Sequence, residues 1–121
     1  MEHILNFEQN SVANDVRNAS RHFLRQFMLR EKIVKAGIMI NSAEYERAID
    51  TLIEVLMDDP NNTDALNDLS TAYILTGNSI NAMNTIYRVL ELNPSDEVAL
   101  ENLSYLKKRN DSVNRGYSGG K

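Results

Sequence analysis

The chain has 121 residues, 42% hydrophobic and 25% charged, which suits one globular domain. It has no cysteine, so disulfides, thiolate metal sites and cysteine nucleophiles are excluded. No apolar run approaches the roughly 18 residues of a membrane span, and residues 1–10 lack the basic-then-apolar order of a signal peptide, so a cytoplasmic protein is the default expectation.

Two prolines and five glycines in the whole chain favour long helices over a turn-rich β fold. Residues 1–10 show no clear pattern and are expected to be disordered. Residues 11–28 form an amphipathic helix, with Val12, Val16, Ala19, Phe23 and Phe27 at helical spacing and Leu24 and Met28 beside them. Arg17, Arg21 and Arg25 make a separate basic stripe. No glycine or proline interrupts Ser11 to Ala36, so this helix can continue into the next as one rod of about 40 Å. Three roles stay open for it: an N-terminal cap, a dimer contact through Val16, Phe23, Leu24 and Phe27, or adsorption to an anionic membrane.

Ile33, Ala36, Gly37 and Ile40 mark the next helix. Ser42 is placed to cap a helix from Ala43 to about Asp58 that buries Tyr45, Ala48, Leu52, Val55 and Leu56, with Pro60 closing it. A helix over 63–76 follows, capped by Asn62 or Thr63, burying Ala65, Leu66, Leu69, Ala72 and Tyr73, and ended by Gly77 in a left-handed conformation. The next runs from about Ser79 to Leu92, with Ala82, Met83, Ile86, Val89 and Leu90 inward. Pro94 stops it, and Ser95 is placed to cap a last helix over 97–109. Residues 110–121 are polar, end in glycines and are expected to be disordered.

The two middle segments repeat. Shifting the sequence by 34 residues superposes Ala48 on Ala82, Thr51 on Thr85, Val55 on Val89, Leu56 on Leu90, Pro60 on Pro94, Ala65 on Ala99, Leu66 on Leu100, Leu69 on Leu103 and Ser70 on Ser104. A fixed period of this size is the mark of stacked helical repeats. Ile33 to Ile40 sit one residue closer to Ala48 than this register predicts, which reads as a one-residue shortening of the turn around Asn41 to Ala43.

These residues resemble the tetratricopeptide repeat, a 34-residue helix-turn-helix unit. Leu66, Leu69, Ser70, Tyr73, Gly77, Ala82, Ile86, Val89, Leu92 and Pro94 match one unit; Ile33, Ala36, Gly37, Ile40, Tyr45, Ala48, Leu52, Val55 and Pro60 match another. Leu100, Leu103 and Ser104 place a closing helix. Ser70, Ser79 and Asp58 depart from the family pattern. The resemblance covers roughly 30–109, with units of about 30–62 and 63–96 within a domain over 29–109. It implies an all-α, right-handed superhelical solenoid of antiparallel helix pairs, with about five to six helices.

In this family the first helix of each unit lines a concave groove. The resemblance then implies groove positions at Glu31, Val34, Lys35 and Ile38, at Asp64, Asn67, Asp68 and Thr71, and at Glu101, Asn102, Tyr105 and Lys108. One subclass clamps a peptide's terminal carboxylate with lysine, asparagine and arginine. Here mainly Asp64, Asp68, Glu101 and Asn102 hold those places, and carboxylates facing a carboxylate ligand would repel it. From Glu44 to Leu106 there are twelve acidic residues against Arg47 and Arg88, an unfavourable surface for a phosphate backbone. The expected partner is therefore a basic or amide-rich protein segment, rather than nucleic acid or a membrane.

No catalytic constellation, cofactor motif or metal set is expected. His3 and His22 lie 19 residues apart, and Asp58-Asp59-Pro60-Asn61-Asn62 lacks calcium-loop spacing. The functional expectation is a non-enzymatic interaction adaptor. Its alternatives are a regulatory or oligomerisation module of a larger enzyme such as a transferase, and a chaperone for secreted proteins.

Overall fold

A computed structural model describes the backbone from residue 2 to 119 and the side chains from 12 to 112. Over these residues the protein is all-α: α1 (Glu2–Asn41), α2 (Tyr45–Asp58), α3 (Thr63–Leu75), α4 (Ser79–Leu92) and α5 (Glu97–Gly119), with no strand. The chain divides into two compact units, residues 1–31 and 32–121. No proline or glycine interrupts residues 2–36, and α1 runs unbroken across them. Helix thus covers 2–10 and extends past Arg109, where composition alone suggested disorder; the side chains of 1–11 and 113–121 lie outside the described residues, as do residues 1, 120 and 121 altogether.

In the first unit α1 presents Val12, Val16, Phe23, Leu24, Phe27 and Met28 exposed, with Leu29 buried. The Phe23 and Phe27 rings stack with centroids 6.4 Å apart, as a four-residue helical spacing allows.

The second unit is built from turns that recur at the period read in the sequence. At the end of α1, Glu44 N–H donates to Met39 C=O at 2.8 Å and Ala43 N–H to Ile40 C=O at 3.0 Å. At the end of α3, Asn78 donates to Tyr73 at 2.8 Å and Gly77 to Ile74 at 3.1 Å. Both are helix ends closed by a left-handed residue, Ala43 at φ 60° and Gly77 at φ 78°. The proline turns repeat too: Asp59 N–H to Val55 C=O and Asn62 N–H to Asp59 C=O recur as Asn93 to Val89 and Asp96 to Asn93.

This geometry corrects the expected shortening of the first turn. Ala43 takes the conformation that glycine takes one period later, so no residue is missing, and Ala36 rather than Gly37 is the counterpart of Ser70. Ala36 and Ser70 are both fully buried. Alanine in the left-handed region costs about 1 kcal/mol. Ala43→Gly is therefore expected to stabilise the fold by roughly 0.5 kcal/mol after its added unfolded-state entropy, read as a raised denaturant midpoint. A midpoint that falls would mean that Ala43 is not strained.

Two caps differ from expectation. Helix α2 starts at Tyr45, and its N-cap is Glu44 with no side-chain bond, because Ser42 lies before the left-handed turn rather than after it. Helix α5 is capped by Asp96, whose Oδ1 accepts from Ala99 N–H at 3.0 Å; the Ser95 hydroxyl donates to Asn93 Oδ1 instead. Asn62, one period before Asp96, caps α3 through Ala65 N–H at 3.0 Å.

Packing follows the small residues. Ala48 and Ala82 are fully buried, as are Leu52, Val55, Ile86 and Val89. Helices can approach closely where the side chain is a methyl, and branched residues fill the space either side. Leu66 of α3, Ala82, Ile86 and Val89 of α4, and Ala99 and Leu106 of α5 form one buried cluster, with Leu56, Tyr73, Met83 and Leu103 packed against it. Helix α3 also packs on α2. Its remaining buried stripe, Ala65, Leu69 and Ala72, stands outside that cluster and on the face left for α2. The C-terminal part of α1 lies antiparallel on α2, with Thr51 Oγ1 donating to Met39 Sδ at 3.8 Å and Lys32 Nζ 3.6 Å from Glu54 Oε2.

Candidate functional site

Helices α3 and α5 run side by side in the same direction, and a row of polar side chains links them beside the shared hydrophobic cluster. Asn67 Nδ2 donates to Asp96 Oδ1 at 3.0 Å. One to two turns further on, Asn102 Nδ2 donates to Ser70 Oγ at 3.1 Å and to Thr71 Oγ1 at 3.4 Å. Both hydroxyls in turn donate to Asn67 C=O, at 2.8 Å and 3.1 Å. The expected groove residues Asn67, Thr71 and Asn102 are therefore brought together, but bonded to one another. Asn67 is buried, and its Oδ1 accepts no bond. A buried carbonyl without a donor costs about 1–3 kcal/mol, which offsets part of what the Nδ2 bond to Asp96 contributes.

The face beside this seam is acidic. Asp64 and Glu101 are exposed, Asp68 is half-buried, and Tyr105 is exposed. Burial first, and the charge of Asp64 second, push the Asp68 carboxyl above the ordinary carboxylate range. A cation placed there would relieve both effects, since it favours the ionised form.

On α1 the corrected register sorts the remaining expected positions. Val34 is the counterpart of Asp68 and is exposed. Lys35 and Ile38 are the counterparts of Leu69 and Ala72, whose face packs on a neighbouring helix; in α1 both are exposed. The one-residue offset read in the sequence had paired them with Asp68 and Thr71.

The sequence marks Asp96 and Glu97 as turn and cap residues but places the α5 cap on Ser95; the bond by which Asp96 also locks Asn67 was not foreseen. The cap itself had a signal: Asp96 lies one period after Asn62, a cap already recognised. Sequence reasoning also missed Arg88, whose Nη2 donates to Pro60 C=O and Asn61 Oδ1, both at 3.2 Å, bracing the turn before α3.

No described helix is long and apolar enough to cross a membrane. No family model matches this sequence, and no curated protein matches it.

Proposed function

We propose that the second unit is a tetratricopeptide-type interaction module, whose α3–α5 face belongs to a concave groove that binds a basic or amide-rich segment of another protein. The single observation that carries this reading is the acidic face of Asp64, Asp68 and Glu101 beside two helices locked in place by Asn67, Ser70 and Asn102. A rigid face lowers the ordering cost of binding, and an apposed cation recovers the desolvation already imposed on Asp68. Repetition of both turn types at the 34-residue period supports the family reading. Tyr105 and Val34 add apolar area at the edges. The role is binding, in an adaptor, with no chemical step.

The test is a titration of the whole chain with lysine-rich, glutamine-rich and glutamate-rich peptides, read by amide chemical shifts. Lysine-rich peptide is expected to shift Asp64, Asp68, Glu101 and Tyr105, and Asp64→Lys with Asp68→Lys to weaken it by about tenfold or more. The pH dependence has a definite sign. The Asp68 pKa is raised in the folded state, so the protonated form persists above the ordinary carboxylate value. Affinity for a cation therefore climbs as pH rises through that raised pKa, while the contribution of Asp68 to stability falls. Asp68→Asn flattens both slopes. Equal binding of the glutamate-rich peptide, or shifts confined to other faces, would refute the reading.

A further inference from the structure

We infer that the α1–α2 turn is a hinge that opens into continuous helix, so that two copies of the chain exchange α1 and form a swapped dimer. Four connections join the five helices. Three carry a residue that ends a helix: Pro60 between α2 and α3, Gly77 between α3 and α4, and Pro94 between α4 and α5. The α1–α2 connection, Ser42-Ala43-Glu44, has neither glycine nor proline. Alanine is the best helix former, yet Ala43 is held at φ 60°, where its period counterpart is Gly77 at φ 78°. Helix α2 also starts without a cap. Its N-cap Glu44 makes no side-chain hydrogen bond, whereas Asn62, Asn78 and Asp96 cap α3, α4 and α5.

Straightening this turn relieves both defects. Ala43 moves to the right-handed region, and the first amides of α2, at Tyr45, Glu46 and Arg47, gain the carbonyls four residues before them. The two turn bonds, from Glu44 to Met39 and from Ala43 to Ile40, give way to regular helical ones. Residues 2–58 then form one helix of about 85 Å. The packing of α1 on α2 is regained from the second copy. Lys32 and Met39 meet α2, and Thr51 and Glu54 meet α1. On one straight helix these four positions fall within about 120° of the circumference. Two such helices, antiparallel about a two-fold axis near Ala43, therefore set α1 of each copy on α2 of the other. The exchange repeats the contacts of the closed chain and alters only the hinge. The relieved strain is set against the translational freedom lost on pairing.

The test is refolding of the intact chain from urea at rising concentration, followed by size-exclusion separation with light scattering. A species of twice 13.7 kDa is expected to grow with concentration and to revert slowly on dilution. Because the chain has no cysteine, Met39→Cys with Thr51→Cys supplies one pair for a short bismaleimide. In the isolated dimer the reagent joins two chains on a denaturing gel, and in the monomer it links within one. Ala43→Gly is expected to weaken dimerisation by about 100-fold or more, since each hinge gains an unstrained left-handed turn and loses a helix former. Ala43→Leu keeps the dimer, because leucine is as strained in the left-handed region and nearly as good in a helix. The α3–α5 face takes no part, so the lysine-rich peptide titration reads that face independently of the hinge. A monomer at every concentration, a dimer whose bismaleimide links stay within one chain, or equal dimerisation of Ala43→Gly and wild type would each overturn the proposal.

Discussion

Leu106→Ala is expected to cost about 3 kcal/mol of stability, because a fully buried leucine leaves both its transfer energy and a cavity behind. The effect reaches beyond α5. Leu106 closes the cluster of Leu66, Ala82, Ile86, Val89 and Ala99, so it joins α5 to α3 and α4 at once. Domains of this size have only about 5–15 kcal/mol in total, so the variant should unfold at markedly lower denaturant concentration. Hydrogen exchange should show α5 losing protection before α3 and α4, since α5 meets fewer neighbours than they do. A loss below about 1 kcal/mol would mean that α5 is not part of the cooperative core.

Ser70→Leu is expected to cost a similar amount, about 3 kcal/mol, by two separate routes. Ser70 is fully buried where α3 meets its neighbours, and three added carbons have no space without moving a helix. The change also removes the acceptor at 3.1 Å from Asn102 Nδ2, leaving that amide only the longer contact to Thr71. Ser70→Ala separates the routes: it keeps the space, loses the hydrogen bonds, and should cost about 1 kcal/mol. Both are read from urea unfolding. If the acidic face is a binding site, Ser70→Leu should weaken lysine-rich peptide even under conditions where the chain stays folded, because the α3–α5 spacing sets that face. Equal stability of Ser70→Leu and wild type would show that α3 and α5 are not closely packed.

Most helix bounds were legible in the residues. Ser79 to Leu92 is found as expected, Gly77 takes the left-handed conformation, and the stripes of α2, α3 and α4 are buried at Ala48, Leu52, Ala65, Leu69, Ala82 and Ile86. These features depend on neighbours within four residues or on spacing along one helix, and both are written in the chain. The first turn was misread for a definite reason. Alanine carries no signal for a left-handed conformation, so Ala43 concealed the register that Gly77 announced, and Lys35 and Ile38 were paired with Asp68 and Thr71 instead of Leu69 and Ala72.

What the sequence determined by itself is the 34-residue period, the all-helical class and the placing of small residues where helices meet. Each is a local or periodic property, set by backbone geometry and side-chain size. Tertiary structure alone decided which amides are spent inside the fold and which carboxylates face water. Asn67 and Asp64 sit three residues apart on one helix and look equally polar in sequence. Only the arrival of Asp96, 29 residues beyond Asn67, buries one and leaves the other exposed. Desolvation depends on everything packed around a group, whatever its distance along the chain, and that is why the raised pKa of Asp68 and the α3–α5 hydrogen bonds appear only in the folded molecule.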